Sequence, residues 1–466
     1  MVVNCYRGFP LICFERRNGK MAREIHINHW IDEQPLNRFH ISLLFMCMLI
    51  IIADGYDMFM FGAIVPSLMK EWGIGPVEAG ALNSYALIGM MIGAMIFGPS
   101  ADRFGRKNVI LLCFCLFSLF TFTSGFSQSS TSFGVQRFFA GLGLGGVMPN
   151  LIALMTEYTP SKWKSTLVSI MFSGHAFGGI IASAGAIYLI PHLGWRAVVW
   201  LGLIPLVFLP FFYRKMPESV YFYLRHHQTD RLLSVFRRLT QQMISDDEQI
   251  QWVENGEQKT SFPVTCLFRE HRGWSTAMFW VSFFMCLLVM YGLSTWLPKI
   301  MQEAGYPLGS SLTFLVTLNS GAVIGAIIGG RLADLFGARK ILILFFVIAF
   351  LTLMSLSLKP NVILLYILIG IAGGTTTGTQ IVANSYVSQY YPTEMRSTGI
   401  GWALGVGRIG GIAGPVMGGI LLNHHLSLYG NFLAFALPCL VSAVAIWLVQ
   451  EKYSQRWLEQ SSNYLA

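Results

Sequence analysis

The chain has 466 residues, of which 54% are hydrophobic and only 12% are charged. Soluble domains carry about 25% charged residues, so this composition excludes an ordinary soluble enzyme and indicates a chain embedded in lipid. The formal net charge of +9 would suit a nucleic-acid-binding protein, but the basic residues follow a membrane topology, so we expect no nucleic-acid partner.

The first 40 residues are basic and polar and contain no hydrophobic segment of the kind found in a cleavable signal peptide. Met21 opens the run Met-Ala-Arg-Glu-Ile-His and is an alternative start of translation. We therefore assign no function to residues 1–20 and treat residues 1–38 as an N-terminal tail.

Twelve apolar stretches along the chain are each long enough to cross the roughly 30 Å hydrocarbon core of a bilayer, which takes about 20 helical residues. A polar segment, 214–273, separates six stretches from six and is predicted to be a solvated, partly helical connector. The prediction is thus a six-helix bundle over 39–213, a second over 274–450, and a C-terminal tail over 451–466. The stretches lie at about 41–62, 80–100, 108–127, 133–155, 166–190, 195–213, 275–297, 311–332, 340–358, 361–386, 397–422 and 430–450.

The Lys and Arg residues indicate the orientation of the twelve spans. With both termini on the cytoplasmic side, 26 of them fall in cytoplasmic segments and only four on the other side. Cytoplasmic loops carry an excess of Lys and Arg, so we expect both termini inside. The remaining two of the 32 Lys and Arg residues, Arg137 and Arg408, lie within spans.

An internal repeat relates the two halves. Asp102 and Asp334 occupy matching positions 232 residues apart, and two further matches have the same spacing. Two similar six-helix halves imply a transporter whose substrate site lies between them at mid-depth. The matching pairs are Gly98–Lys107 with Gly330–Lys340, Glu157–Thr166 with Gln389–Thr398, and Gly178-Gly179 with Gly410-Gly411.

The run from Gly98 to Lys107, Gly-Pro-Ser-Ala-Asp-Arg-Phe-Gly-Arg-Lys, resembles the loop between helices 2 and 3 that marks the major facilitator superfamily. The second copy departs from it, with Leu335 where Arg is usual. The resemblance covers the chain from about residue 35. It implies an all-α membrane protein of twelve transmembrane helices in two pseudo-symmetric six-helix bundles, the major facilitator fold.

A second resemblance lies in the first span, where Asp54-Gly-Tyr-Asp57 is similar to the Asp-Gly-x-Asp signature of the aromatic acid:proton symporters, and within that family to the bacterial benzoate permeases. The resemblance implies import of a small aromatic acid together with a proton, across a bacterial inner membrane. Hydroxybenzoate, muconate and other related acids remain open as substrates.

Asp54 and Asp57 are the predicted proton-coupling residues. Their spacing places both carboxylates on one face of a helix. A charge near the centre of a bilayer costs at least about 2.5–3.5 kcal/mol, and two carboxylates on one face repel each other. We therefore expect one of them to hold a proton in one conformation and release it in another. The alternative is that one Asp only pairs with an Arg to join two helices.

Three further ionisable residues within spans are candidates for binding the substrate. Arg408 and Arg137 match a carboxylate with their planar guanidinium groups, although Arg137 suits a structural or proton-relay pairing equally well. His175 is a mid-span imidazole, for which a buried structural role is the alternative. We expect no cofactor and no metal ion, because the eight cysteines form no Cys-x-x-Cys pair and behave as small apolar residues.

The Asp102 loop is predicted to be a conformational latch on the cytoplasmic side. Gly98 and Gly105 would allow tight packing and a sharp turn, and Asp102 is expected to cap the next helix. Arg103 and Arg106 would anchor the loop at the membrane surface. The second copy supplies Asp334 and Arg339 as the weaker mirror image.

Glu157, together with Arg396 or Lys164 from the repeated loops, is a candidate gate pair, with a solvated surface charge as the alternative. The predicted function is a proton-coupled secondary importer of an aromatic carboxylate working by alternating access. A proton-driven drug exporter of the same fold is the rival, but the run Ser173-Gly-His-Ala-Phe-Gly-Gly lacks the Gly-Pro pair expected of such exporters. An enzyme is not expected.

Overall fold

The computed structural model describes residues 4–5, 13–17, 20–226, 228–240, 249–253, 264–392, 395–424 and 426–454. Twelve helices within these ranges are long and apolar enough to cross a membrane, which confirms the predicted number and order. The even number of crossings places both ends of the chain on one side of the bilayer. We name this the termini side and the other the far side.

The spans are α1 to α12 in chain order. Most begin or end at residues that satisfy free backbone groups, as Asn37 does for α1 and Ser129 for α4. The bounds are α1 Arg38–Trp72, α2 Pro76–Phe104, α3 Arg106–Ser124, α4 Ser130–Tyr158, α5 Lys164–Leu193, α6 Trp195–Lys215, α7 Gly273–Glu303, α8 Leu308–Phe336, α9 Ala338–Leu356, α10 Val362–Tyr390, α11 Arg396–Asn423 and α12 Leu428–Trp447.

α6 is built from short helical segments, Trp195–Trp200, Leu201–Leu203, Ile204–Val207 and Leu209–Lys215. Pro205 and Pro210 are each the second residue of a new segment, and proline has no backbone N–H to continue the preceding hydrogen-bond ladder. Outside the spans lie helices at Ile27–Asp32, Val220–Arg225 and Thr229–Thr240 and 3-10 turns at Val264–Phe268 and Glu451–Tyr453.

A small four-stranded sheet also lies outside the spans. It consists of β1 Asn4–Cys5, β2 Cys13–Arg17, β3 Lys20–His26 and β4 Gln249–Val253, in that order. β3 and β4 are parallel, so the sheet joins the N-terminal tail to the central connector. We did not predict these strands. The pairing of β3 with β4 joins segments far apart in the sequence and leaves no local pattern, whereas β1, β2 and β3 pair as neighbours in the sequence.

Glycines at equivalent positions of the sequence repeat make the same helix–helix contacts in the two halves. A Cβ atom at Gly178 in α5 would collide with the backbone carbonyl of Ile52 in α1. A Cβ atom at Gly410 in α11 would collide in the same way with the carbonyl of Phe284 in α7, and both residue pairs are 232 positions apart. Small residues at both seams let the helix backbones approach closely, as is usual in membranes.

The buried apolar side chains show where the two halves meet. One continuous cluster joins far-side residues of both halves, for example Phe61 of α1 with Trp296 of α7 and Phe432 of α12. The termini-side residues form two separate clusters, one for each half. The halves are therefore fused on the far side and apart on the termini side.

Contacts between the halves follow the same division. On the far side, Asn83 Nδ2 donates to Thr295 Oγ1 at 2.7 Å and Ser84 Oγ donates to the Ile412 carbonyl at 2.8 Å. On the termini side, a Cβ atom added at Gly98 or Gly330 would meet nothing within 4 Å. The structure is thus closed on the far side and open towards the termini side.

Candidate functional site

Asp57 and Arg137 form a fully buried ion pair inside the N-terminal half. Arg137 Nη1 of α4 lies 2.7 Å from Asp57 Oδ1 of α1, and its Nη2 donates to the Asp57 backbone carbonyl at 3.4 Å. Thr121 of α3 donates a short hydrogen bond to the same carboxylate oxygen. Three helices of one half are thereby tied together, and the Asp57 charge is matched by a fixed guanidinium.

Asp54 lies one turn earlier and has a different environment. It is fully buried, and neither of its carboxylate oxygens has a hydrogen-bond partner. His175 of α5 lies beside it, with Nε2 3.7 Å from Asp54 Oδ2 and itself without a hydrogen bond. A carboxylate in this setting is poorly stabilised as an anion and well suited to binding a proton.

Arg408 brings the second half to this site. It lies near the middle of α11, interacts electrostatically with Asp54 and with Tyr291 of α7, and donates from Nη1 to the Met90 carbonyl of α2 at 3.3 Å. Met90 and Asp54 belong to the first half, so Arg408 connects the two halves at mid-depth. The sequence thus placed Asp54, His175 and Arg408 on separate helices, and the structure brings them to one site.

The closest approach of α5 and α8 lies beside this site. A Cβ atom at Gly179 would collide with the side chain of Asn319, whose amide donates to the Leu315 carbonyl at 2.9 Å. On the other side, a Cβ atom at Gly411 would meet the Tyr291 ring. The two glycines that repeat in the sequence therefore allow polar side chains of the second half to reach the midline.

The Asp102 loop differs in detail from its prediction. Gly105 makes the sharp turn between α2 and α3 with φ 93°, and Gly337 repeats it with φ 91°, a backbone conformation that favours glycine. Asp102 does not cap α3. Its side chain is 65% exposed and lies 3.7 Å from Arg106, because it still belongs to the last turn of α2.

Glu218 supplies the cap of α3 that Asp102 was expected to supply. Its buried carboxylate accepts hydrogen bonds from the backbone amides of Lys107 at 2.9 Å and Ser219 at 2.8 Å. The Tyr158 hydroxyl donates to the Glu218 carbonyl. The segment after α6 is thus bound to the α2–α3 turn. Sequence reasoning missed Glu218, because it lies in the polar connector and 111 residues separate it from Lys107.

The remaining latch residues are at the surface. The Arg103 guanidinium lies over the Phe104 ring at 5.4 Å, and Gly98 has open space around it rather than a tight contact. In the second half, Asp334 is exposed, while Arg339 Nη1 lies 3.3 Å from Glu451 and its Nη2 donates to the Trp447 carbonyl. The second copy is therefore tied to the segment after α12.

Glu157, a member of the predicted gate pair, has contacts within its own half. Glu157 Oε1 lies 2.6 Å from Arg106 Nε, and Ser219 Oγ donates to Glu157 Oε2 at 2.6 Å. Its candidate partner Arg396 begins α11 in the other half. The contacts with Arg106 and Ser219 stabilise the first half in this conformation.

The cysteine side chains and Thr121 complete the description of the spans. Within the described residues, six cysteines are free and five of these are buried, and no group of three or more His, Cys, Asp or Glu side chains is arranged to hold a metal ion. Thr121 was not predicted, because a Thr in an apolar span carries no sequence signal.

Together, two six-helix halves with a mid-depth cluster of ionisable groups between them define a membrane transporter rather than an enzyme. The family model described as Major Facilitator Superfamily matches residues 47–324 and 308–463. The chain belongs to the major facilitator superfamily.

Curated relatives refine this assignment. The chain is 42% identical to a benzoate transport protein of Acinetobacter baylyi, over 93% of this chain and 94% of that protein. It is 33% identical to a gallate transporter of Pseudomonas putida, covering 91% and 94%, and 33% identical to a 4-hydroxybenzoate transporter of Pseudomonas aeruginosa, covering 92% and 96%. Each of these relatives is named for an aromatic acid.

Solved structures show the same fold. The inward-open xylose transporter XylE of E. coli superimposes with a TM-score of 0.71, covering 91% of this chain and 99% of that one, at 15% identity. A bacterial homologue of the human lysosomal transporter Spinster, in an inward-facing conformation, gives a TM-score of 0.67 with 91% and 99% coverage at 16% identity.

Proposed function

We propose that this protein imports an aromatic carboxylate, with benzoate as the first candidate, together with a proton across a bacterial inner membrane. The observation that carries the proposal is Asp54, a fully buried carboxylate without hydrogen bonds that faces His175 and, across the interface of the halves, Arg408. Benzoate combines one carboxylate, which a guanidinium binds, with an apolar ring that suits a dry site. The names of the relatives support this substrate class.

The arrangement suggests how the proton and the substrate are coupled. Without substrate, Arg408 is the positive charge nearest to Asp54 in the second half. A substrate carboxylate that binds Arg408 competes with Asp54 for that charge, and Asp54 then has to take up a proton or remain an unpaired buried anion. Substrate and proton would therefore occupy the site together, with both charges matched, before the halves move.

Asp57 has a different role in this proposal. Its charge is already balanced by Arg137 and by the Thr121 hydroxyl, so it organises α1, α3 and α4 as a rigid unit. Asp54 is then the proton carrier of the pair, and His175 is the side chain that exchanges the proton with it. Arg137 belongs to the structural pair rather than to the substrate contact.

The alternating movement requires that the far-side contacts break while the termini side closes. We propose that the termini side is cytoplasmic, from the 26 to 4 distribution of Lys and Arg, so the present conformation would release substrate into the cell. The two six-helix units, 39–213 and 274–450, would rock about the mid-depth site. The Asp102 loop, in which the Asp102 side chain is exposed here, would act as the latch when the termini side closes.

Uptake into proteoliposomes tests the proposal. Radiolabelled benzoate should accumulate above its external concentration when the lumen is alkaline, and a protonophore should abolish the accumulation but leave exchange of labelled for unlabelled benzoate intact. Accumulation that persists with the protonophore would contradict proton coupling. Competition by 4-hydroxybenzoate, gallate and muconate then defines which acid the site prefers.

The rival function, proton-driven export of a drug, predicts a different result. An exporter would move organic cations outward against their gradient and would give cells a resistance phenotype. The mid-depth Arg408 disfavours a cationic substrate, because like charges in a low-dielectric site repel strongly. Outward flux of a cation without any benzoate exchange would favour the exporter.

A further inference from the structure

A groove on the lipid-facing surface lies between α3 and α6, outside the transport site. It has a volume of about 380 Å³ and is lined by Leu111, Leu112, Leu209, Pro210 and Tyr213. Every lining side chain is apolar or aromatic. The break of α6 at Pro210 and the exposed positions of Leu112 and Tyr213 create this concave surface beside an otherwise regular helix pair.

Positive charge borders the groove at one end only. Lys107 Nζ lies over the Tyr213 ring at 5.2 Å, and Arg214 and Lys215 follow Tyr213 directly and are exposed. The lining residues of α3 begin four positions after Lys107, which places them about 6 Å deeper at a rise of 1.5 Å per helical residue. The basic residues thus stand at the membrane surface with the apolar groove beneath them.

The repeat shows that this combination is peculiar to the first half. Arg339 stands at the position equivalent to Lys107, but an ion pair with Glu451 and a hydrogen bond to the Trp447 carbonyl engage it. Ala445 stands at the position equivalent to Tyr213, so no aromatic ring covers the groove there. In the first half, by contrast, Lys107, Arg214 and Lys215 stand together above the apolar groove, with Glu218 as a neighbouring carboxylate of Lys107.

We propose that the α3–α6 groove binds an anionic phospholipid, with an acyl chain along Leu112 and Leu209 and the phosphate between Lys107, Arg214 and Lys215. The chemistry of the two ends matches the two parts of such a lipid. A bound lipid would lie directly against the α2–α3 turn, since the Lys107 backbone amide is held by Glu218. It would thus stabilise the termini-side end of the first half.

Lipid titration of the delipidated protein, followed by native mass spectrometry, tests the proposal. Phosphatidylglycerol should bind more tightly than phosphatidylcholine of the same chains. Removing charge in the double variant Arg214→Gln/Lys215→Gln should weaken phosphatidylglycerol binding by about 25-fold, since each of the two basic residues near the surface contributes about fivefold. Phosphatidylcholine binding should not change. Lys162→Gln is the matched control, because Lys162 also lies over an aromatic ring, that of Trp163 at 5.8 Å, whereas neither residue lines the α3–α6 groove.

The apolar end of the site has its own pair of variants. Leu112→Trp fills the groove and should abolish the preferential binding, whereas Leu344→Trp, at the equivalent lipid-facing position of α9, should not. Equal affinity for the two lipids in the unaltered protein would overturn the proposal. Loss of phosphatidylglycerol binding by Lys162→Gln or Leu344→Trp to the same extent as by the groove variants would overturn it as well.

Discussion

Replacing Asp54 and Asp57 separately by Asn should give two different defects, although the residues are neighbours on one helix. Asp57→Asn leaves the fully buried Arg137 guanidinium without a counter-charge. Breaking a buried ion pair by removing one partner costs about 3–5 kcal/mol. We expect the lower part of that range, about 3 kcal/mol, because the amide oxygen still accepts one hydrogen bond.

Asp54→Asn should cost little stability. The carboxylate has no hydrogen bond to lose, and an amide of the same shape resembles the protonated acid and removes the repulsion with Asp57. Transport should change instead, because the amide cannot carry a proton. The variant should exchange benzoate across the membrane but fail to accumulate it against a gradient.

Two assays separate these outcomes. Thermal unfolding followed by fluorescence-detected size-exclusion chromatography should show a midpoint about 3 °C lower for Asp57→Asn, at about 1 °C for each kcal/mol in a chain of this length. The midpoint for Asp54→Asn should lie within about 1 °C of that of the unaltered protein. Proteoliposomes should show exchange without accumulation only for Asp54→Asn. If Asp57→Asn is stable and loses accumulation alone, while Asp54→Asn unfolds, the assignment of roles is refuted.

Three further outcomes follow from the packing. Gly178→Val should destabilise the protein by more than about 3 kcal/mol, because its side chain meets a backbone carbonyl, whereas Gly185→Ala, with its nearest neighbour atom at 3.9 Å, should be tolerated in the same thermal assay. Asn83→Ala removes the 2.7 Å hydrogen bond to Thr295 and should shift the equilibrium towards far-side opening by about fivefold, or about 1 kcal/mol. Spin labels in the α1–α2 and α7–α8 loops should then show longer distances. Unchanged distances would contradict this prediction. Glu157→Gln should lower the midpoint of unfolding by an amount corresponding to about 1.5–3 kcal/mol, and an unaltered midpoint would show that this carboxylate is not structural.

Much of this architecture was predictable because membrane helices have strong local signals. The number and order of the spans follow from runs of about 20 apolar residues, and the repeat of Gly178 and Gly410 correctly indicated equivalent seams in the two halves. The small sheet formed by the N-terminal tail and the connector was not predictable in this way, because β3 and β4 pair across the whole first bundle.

The sequence predicted which ionisable residues form the candidate site, but not which of them pair with each other. An ionisable residue inside a span is conspicuous, which identified Asp54, Asp57, Arg137 and Arg408. Which carboxylate pairs with which guanidinium depends on the rotation of each helix, and the sequence does not specify that to within one residue. The capping of α3 by Glu218 instead of Asp102 has the same cause, because the decisive contact crosses from the end of α6 to the α2–α3 turn.

The contacts that join the two halves on the far side involve no charged side chains among the described residues. Glycines 62, 80 and 419 press against backbone atoms of the other half, the two hydrogen bonds there are neutral, and none of the ion pairs among the described residues joins the halves in that region. Ionic strength screens charged contacts but leaves dry van der Waals contacts nearly untouched. The opening of the far side should therefore depend little on ionic strength.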